Sequence, residues 1–463
     1  LKKYTYEEIS KHTSKENGIW VTYKDSVFDI TDFINNHPGG KDKIMLAAGK
    51  GIEPYWDIYK QHTNNESIVN DILNPMRIGF IKEYDKNKYN NVNDPYIKDP
   101  TRSSDLNYHS VTPCNAETPL DEITNNWITP NDLWYIRNHN PVPNIDINKY
   151  KLNISSTSND YIFTIDELKK LKSKKIITTM QCGGNRRNNL NDYKKTSGTL
   201  WNIGAISTAE WKGVPLRDII IQKGLLNDKI KHVQIEGIDG VKASIPIEKV
   251  MNIYGDVLLA YEMNGEDIPR DHGYPLRIIV PGHVGIRNIK WIKNIILSKE
   301  EAEGTWQKGI SYKGIPHYID DVNNINIDDI YLHRQYIINI DDIAPIQEMP
   351  IQSCITNITK SHDEIIAKGF AWSGGGRGII RVDVSFNDGK TWKMANLKEG
   401  RGQPFNKAWA WTFWEAKIDI PKDKVTVCCK AIDSSYNTQP EKQETTWNIR
   451  GLNNNSWHKI KYP

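Results

Sequence analysis

Thr178-Thr-Met-Gln-Cys182-Gly183-Gly184-Asn185-Arg186-Arg187 is the stretch on which the reading of this 463-residue chain turns. The β-branched pair Ile176 and Ile177 ahead of it predicts a buried strand, and the two glycines allow a sharp turn, so a thiol is presented at a strand end. Two arginines follow within five residues. An electropositive setting lowers a thiol's pKa and favours the thiolate, which serves as nucleophile or metal ligand. On extended backbone, adjacent side chains point to opposite sides, so only one of Arg186 and Arg187 can face a pocket. The competing reading is a buried structural cysteine beside a glycine turn, and what decides between them is the company Cys182 keeps elsewhere.

The chain is too long for one hydrophobic core and predicts about three domains. A formal charge of +3 gives no excess of the kind a nucleic-acid binder needs, so any positive field must be focused in a pocket. Fifteen tryptophans and 22 tyrosines are ample for substantial cores. The five cysteines, Cys114, Cys182, Cys354, Cys428 and Cys429, are odd in number and lack C-x-x-C spacing, which argues against a disulfide framework or a structural zinc site. No apolar run reaches the ~20 residues of a membrane span. Position 1 is Leu, which leaves room for an upstream targeting peptide.

Residues 1–82 carry their own signature: Phe33-Ile-Asn-Asn-His37-Pro38-Gly39-Gly40, then Met45 to Gly49, then Tyr55-Trp56 through His62. Pro38 and the glycines stop the preceding helix and hold the His37 imidazole at a loop edge. His62 closes an aromatic-rich amphipathic stretch. Two histidines on separate loops can approach a flat metal macrocycle from opposite faces, and a bis-imidazole site without an open position moves electrons. His12 reads as a solvated histidine. The segment resembles cytochrome b5-type haem domains, which implies His37 and His62 as ligands of a haem b iron.

Residues 83–104 are polar and non-periodic, with prolines at 95 and 100, and predict a flexible linker. Residues 105–322 mix short β-branched runs with helical patterns. In Val214-Pro-Leu-Arg-Asp-Ile-Ile-Ile-Gln-Lys-Gly224, proline opens and glycine closes a helix. Strands at Leu276–Val280 and Ile292–Leu297 bracket charged loops, an α+β layout. Three loops pair glycine or proline with Arg, His, Asn or Lys: Trp134 to Pro143, Tyr261 to Arg277, and Pro281 to Trp291. Such loops suit an anionic, phosphate-bearing cofactor.

From 323 to 463, after an Asp/Ile/Asn-rich segment, the pattern is all-β. Ile380, Val382, Val384 and Phe386 alternate with polar residues, an Asn387-Asp388-Gly389 turn follows, and Val425 to Ala431 alternate again. This predicts an immunoglobulin-like sandwich. Cys428 and Cys429, adjacent in a strand, point to opposite faces and read as structural.

Together these elements resemble the sulfite oxidase family of the animal type across the whole chain, with Phe370-Ala-Trp-Ser-Gly-Gly-Gly-Arg377 matching as well as the cysteine motif. The resemblance implies a multidomain α+β protein: a b5-like haem domain, a molybdopterin domain, and a sandwich domain through which the family forms homodimers. It implies Cys182 as the one protein ligand to molybdenum. It implies pterin contacts from Tyr135, Ile136, Arg137, Asn138, His139, Asp239, His272, Arg277, Arg287, Asn288, Ile289 and Lys290. For the sulfite pocket it implies Arg137, Arg187, Trp201, Tyr312 and Arg450, with Tyr312 supplying a hydroxyl and Trp201 readable also as a core aromatic. Sulfite would be oxidised to sulfate, with electrons leaving singly through haem b to cytochrome c in the mitochondrial intermembrane space. A thiolate suits molybdenum chemically. Two departures stand out: Ser197 where many relatives carry Lys, and a longer 315–345 stretch.

Eukaryotic nitrate reductases share the Cys-x-Gly-Asn-Arg-Arg run and the sandwich, so a fragment of such an enzyme is the alternative. In those enzymes, however, the haem domain follows the sandwich and a flavin domain feeds it. Here the haem segment comes first, with no evident flavin entry. An electron carrier fused to an inactive molybdopterin scaffold is a third reading, and it would make Cys182 dispensable.

Overall fold

The computed structural model describes residues 2–34, 37, 41–58, 68–86, 88, 94–156, 159–319, 342–419 and 425–462. It divides into two compact units, Leu1–Asp99 and Pro100–Val322 with Ile330–Pro463. His62 and most of the 315–345 stretch lie outside the described residues.

The first unit is a five-stranded sheet in the order Lys2–Tyr4, Arg77–Ile81, Ser26–Asp29, Gly18–Tyr23, Thr13–Ser14, of which the first pair is parallel. Alternation along Gly18–Tyr23 buries Ile19 and Val21 against Phe28, Ile30 and Ile34. The helix Tyr6–Ser10 starts at a capping box in which Thr5 and Glu8 satisfy each other's backbone N–H groups, worth about 1 kcal/mol. His37 meets the Phe33 ring edge-on at a centroid distance of 6.1 Å. His12 departs from the solvated expectation: its ring stacks on Trp20 at 3.3 Å, because a flat imidazole covers indole surface that water would otherwise wet.

The second unit is built on one mixed and one antiparallel sheet. One runs Asp160–Phe163, Leu152–Ser155, Ile292–Ser298, His232–Gly237, Lys242–Pro246. Its apolar face, with the helices Ile165–Lys170, Leu216–Gln222 and Ile247–Met251, buries a cluster that includes Leu152, Leu168, Ile220, Val233 and Ile295. The helix Leu216–Gln222 opens after Pro215, and Gly224 takes the left-handed φ of +60° just past its end, as the residue pattern requires.

The other sheet pairs Lys174–Gln181 with Ile206–Pro215, then Leu258–Met263, which also pairs Arg277–Ile279. A three-stranded sheet, Asn107–Ser110, Asn115–Glu117 and Ile136–Arg137, lies alongside in the same unit. Two four-stranded sheets complete it: Gln352–Ser361, Glu364–Trp372, Thr412–Asp419, Asn396–Leu397, and Lys393–Met394, Ile379–Ser385, Val425–Asp433, His458–Tyr462. Their inner faces share Ile355, Val382, Val384, Trp414 and Val427, which makes a sandwich. Cys429 joins that core, while Cys428 lies toward Asp388. All five cysteines are buried, and none forms a disulfide. No helix among the described residues is long and apolar enough to cross a membrane.

Over 83–104, most of the described residues are exposed or half-buried. Tyr96 is buried in the first unit and Arg102 in the second. The partner of Arg102 lies 169 residues along the chain, which local composition cannot register.

Candidate active site

Cys182 ends the strand Lys174–Gln181 and is 6% exposed. The turn after it departs from expectation. Gly183 and Gly184 do not adopt positive φ; Arg186 does, at +64°, as the left-handed residue before the helix Arg187–Leu190. The glycines serve close approach instead: a Cβ on Gly184 would lie 2.6 Å from Arg187 Nη2, and one on Gly183 would lie 3.0 Å from Val284.

The left-handed step, rather than strand alternation, sends the two arginines apart. Arg186 is fully buried and donates to the carbonyls of Ser456 and Trp457 at 2.6 and 3.3 Å. Arg187 turns toward Cys182, donating to the carbonyls of Thr199 (2.7 Å) and Arg450 (3.1 Å). Asn185, also fully buried, accepts the Ala205 N–H at 3.0 Å and closes the loop.

The C-terminal segment brings Arg450 beside this loop through Ser197 N–H to Ile449 O (2.8 Å) and Asn453 N–H to Gly183 O (2.8 Å). Arg450 donates to the Ser197 hydroxyl at 3.1 Å. Arg137 donates to Asn115 Oδ1 and Asn138 O at 2.9 and 2.8 Å. Among the described residues, the partners of these three guanidinium groups are therefore carbonyls, an amide and a hydroxyl, with no carboxylate among them.

Tyr312 senses the cluster. Burial, then the Cys182 thiol, push its hydroxyl above the ordinary value, while Arg137, Arg187 and Arg287 pull it down. Burial holds Arg187 down at about 10, opposed by Cys182 and Tyr312 and reinforced by Arg450 and Arg137. It remains a cation at neutral pH.

Cys182 and Tyr312 open on a cleft of about 650 Å3 including its mouth, lined by every expected pterin-contact residue except Ile136 and Arg287. Ile136 is a core residue on its short strand. Arg287 stands behind, fully buried, donating to Ile346 O and Trp306 O at 3.0 and 2.8 Å. Ile289 contributes to the main core. Asn288 holds the backbone of its own loop, accepting the Val280 N–H at 2.6 Å. Arg277 donates to His272 O and Asn288 O, both at 2.7 Å. Burial takes His272 down to about 3, and His139 is likewise pushed down by burial and by Arg137 and Lys290, so both imidazoles are neutral. Asp239 braces its turn by accepting the Val241 N–H at 3.2 Å.

Lys290 donates to Asp271 O at 2.8 Å, to Arg137 O at 3.2 Å and to Asn138 Oδ1. Burial lowers it to about 7, against the pull of Asp271. An anion against this amine would restore its charge.

Two residues that sequence reasoning did not single out anchor this wall. Asp271 accepts Arg102 in a bidentate pair at 2.8 and 2.9 Å and Asn138 Nδ2 at 2.9 Å. Asp271 sat within a quoted loop and could have been raised there; Arg102, 169 residues away, gave no local signal.

Trp201 is fully buried in the apolar cluster that contains Cys182, Trp134 and Tyr135, and does not line the cleft. A molybdenum–pterin group fits these residues: among the described residues Arg277 Nε, on the cleft wall, is a buried donor without a protein partner, and a soft thiol lines the same cleft. Such orphaned donors are costly unless an acceptor satisfies them.

Packing around Arg187 makes a sharp prediction. A Cβ at Gly184, Gly198 or Gly451 would come within 2.8 Å of its side chain. Gly184→Ala should fold, because the displaced atoms are the far end of a side chain. It should raise the KM for an anionic substrate at least about tenfold by moving a charge-assisted donor worth ~1.5–3 kcal/mol. Steady-state kinetics with unchanged KM would remove Arg187 from the binding site.

Three domain families match in succession: a cytochrome b5-like haem/steroid binding domain over residues 5–82, an oxidoreductase molybdopterin binding domain over 139–306, and a molybdenum-cofactor oxidoreductase dimerisation domain over 343–462. Mitochondrial sulfite oxidase of Homo sapiens is 41% identical over 473 residues, spanning 99% of this chain and 84% of the relative. NADH nitrate reductase of Spinacia oleracea is 33% identical over 380 residues, spanning 75% of this chain and 39% of the relative. The crystal structure of the sulfane dehydrogenase SoxCD from Paracoccus pantotrophus shares the fold, with a TM-score of 0.60 at 22% identity over 85% of this chain and 95% of its own. Haem-type, molybdopterin and dimerisation domains follow one another along a sequence that aligns nearly end to end with its animal relatives, and the chain therefore belongs to the sulfite oxidase family.

Proposed function

We propose that this protein oxidises sulfite to sulfate and delivers the two electrons singly, through a b-type haem, to cytochrome c. The observation that carries the reading is the group of Arg137, Arg187 and Arg450 around Tyr312 and Cys182, three buried or half-buried cations whose hydrogen bonds among the described residues reach no carboxylate. Such a cluster is repulsive until an anion enters, and a small dianion satisfies it. When bound, the molybdenum–pterin group supplies two-electron redox chemistry and haem b the one-electron steps.

The residues of the chain then have distinct work. Cys182 would hold molybdenum, and the orphaned Arg277 Nε and the Lys290 amine would meet the anionic pterin phosphate. Arg137, Arg187 and Arg450 would bind and orient the substrate oxygens by charge-assisted hydrogen bonds. The Tyr312 hydroxyl, kept protonated at neutral pH by burial, would donate a hydrogen bond to substrate or to water. Trp201, behind Cys182, would exclude water from the thiol side. His37 would be one haem ligand; its proposed partner His62 lies outside the described residues.

We assign the haem domain to residues 1–82, the molybdopterin domain to 105–322 and the dimerising sandwich to 323–463, with a homodimer as the assembly. The mitochondrial relatives support a mitochondrial location, proposed more finely as the intermembrane space.

Sulfite added to the purified, oxidised protein is expected to reduce the haem, read as sharpening of the b-type α-band, with sulfate formed in equal amount to sulfite lost. Nitrate-dependent oxidation of a reduced dye, with no sulfite-driven haem reduction, would overturn the proposal in favour of the nitrate-reductase reading.

A further inference from the structure

Glu117 is 3% exposed, has no Lys or Arg among its hydrogen-bond partners, and belongs to none of the groups assigned above. Its carboxylate accepts the N–H of Asn202, the N–H of Gly204 at 3.2 Å, and His109 Nε2 at 2.8 Å. His109 in turn meets the Trp201 ring edge-on at 5.0 Å.

The segment so held, Trp201 to Ala205, is the other wall of the cysteine loop. Its opposite edge is stitched to that loop by Arg186 N–H to Asn202 O (2.6 Å), Asn188 N–H to Trp201 O (3.0 Å) and Cys182 N–H to Ala205 O (3.0 Å). One carboxylate therefore fixes, from behind, the strip that sets where Cys182 and Arg187 stand. Gly204 allows the approach, since a Cβ there would lie 2.5 Å from Thr118 O and 3.0 Å from the Glu117 side chain.

We infer that Glu117, with His109, is a positioning residue for the sulfite site: it locks the Trp201–Ala205 strip and thereby the Arg187 guanidinium and the Cys182 thiol. The inference rests on the sulfite-oxidising reading. Burying a carboxylate on backbone donors is costly unless all its acceptor positions are filled. Glutamine is isosteric but brings an NH2 group to one side, so it must lose either the Gly204 or the Asn202 backbone bond.

The test compares wild-type and Glu117→Gln holoenzyme, each with molybdenum and haem content measured. The expected result is a sulfite KM raised about tenfold, the scale of losses for residues one step behind a metal site. Turnover should stay within twofold and metal content should be unchanged. Sulfate affinity, read by calorimetry on the oxidised protein, should weaken by the same factor.

A lower KM would mean that Glu117 acts only as a negative charge near the arginines, and would overturn the inference. So would an unchanged KM, or a fall in turnover matched by lost molybdenum, which is what a merely structural residue would give. Should Glu117→Gln fail to accumulate, His109→Ala, which leaves both backbone bonds in place, is expected to raise KM about threefold, a fraction of the Glu117 effect, and an unchanged KM there sinks the pair. Wild-type protein inactive toward sulfite would defeat the functional reading, whereas an active wild type with an indifferent variant defeats this inference alone.

Discussion

Cys182→Ser is expected to leave the haem absorption spectrum intact and to abolish its reduction by sulfite. The thiol stands buried at the inner end of the cleft, with its backbone N–H tied to Ala205 O at 3.0 Å. Serine preserves that backbone and nearly the volume, so folding should survive. What is lost is the soft sulfur donor. Residues that merely support a metal ligand cost 10–100-fold when changed, so loss of the proposed ligand itself should exceed about 100-fold. The haem in the separate first unit serves as an internal control, because its spectrum reports folding independently of molybdenum. Sulfite-driven haem reduction at more than about a hundredth of the wild-type rate would remove Cys182 from its proposed role and revive the carrier reading.

Arg102→Ala is expected to destabilise the fold by about 3–5 kcal/mol, because it leaves one partner of a largely buried ion pair alone. Asp271 is 6% exposed, and its carboxyl is raised by burial but lowered further by the hydrogen bonds and charge of Arg102, for a net fall. Its folded-state pKa thus lies below the unfolded one. The stabilisation is complete above the unfolded carboxyl value of about 3.9 and is lost as pH falls through the folded value.

Removing Arg102 takes away the strongest opposition to burial and leaves His272, Lys290 and the Asn138 hydrogen bond to hold the carboxylate. The double variant Arg102→Ala/Asp271→Asn should recover more than half of the loss, because the stranded charge is gone. Urea denaturation followed by tryptophan fluorescence reads both. A double variant no more stable than Arg102→Ala would show that the pair's charge is not what matters.

Much of the fold could be read from local chemistry. The strand into Cys182, the helix framed by Pro215 and Gly224, the alternating strands of the sandwich and the Asn387–Gly389 turn follow from periodicity and from residues with restricted φ, which act over a few positions. The cleft residues were also visible, because the loops that carry them concentrate cationic and amide side chains. Their separate jobs were not. Arg287 and Asn288 look like phosphate donors in sequence, yet most of their donors go to neighbouring carbonyls. Trp201 reads as a pocket aromatic and sits wholly inside a core. Arg102, too, looks like any solvated arginine in sequence until Asp271 is placed beside it.

By itself the sequence determined the order of the domains, the strand that ends on Cys182 and the glycines around it, since these depend on backbone preferences and side-chain periodicity within a few residues. Tertiary structure alone decided which of Arg186 and Arg187 faces the thiol, that Arg450 joins them from 263 residues away, and that Glu117 and Asp271 brace the site from behind. Those outcomes depend on desolvated charges finding partners across the fold. The energy of a buried ion or an orphaned donor is set by the dielectric and donors around it in space, which adjacency along the chain does not specify.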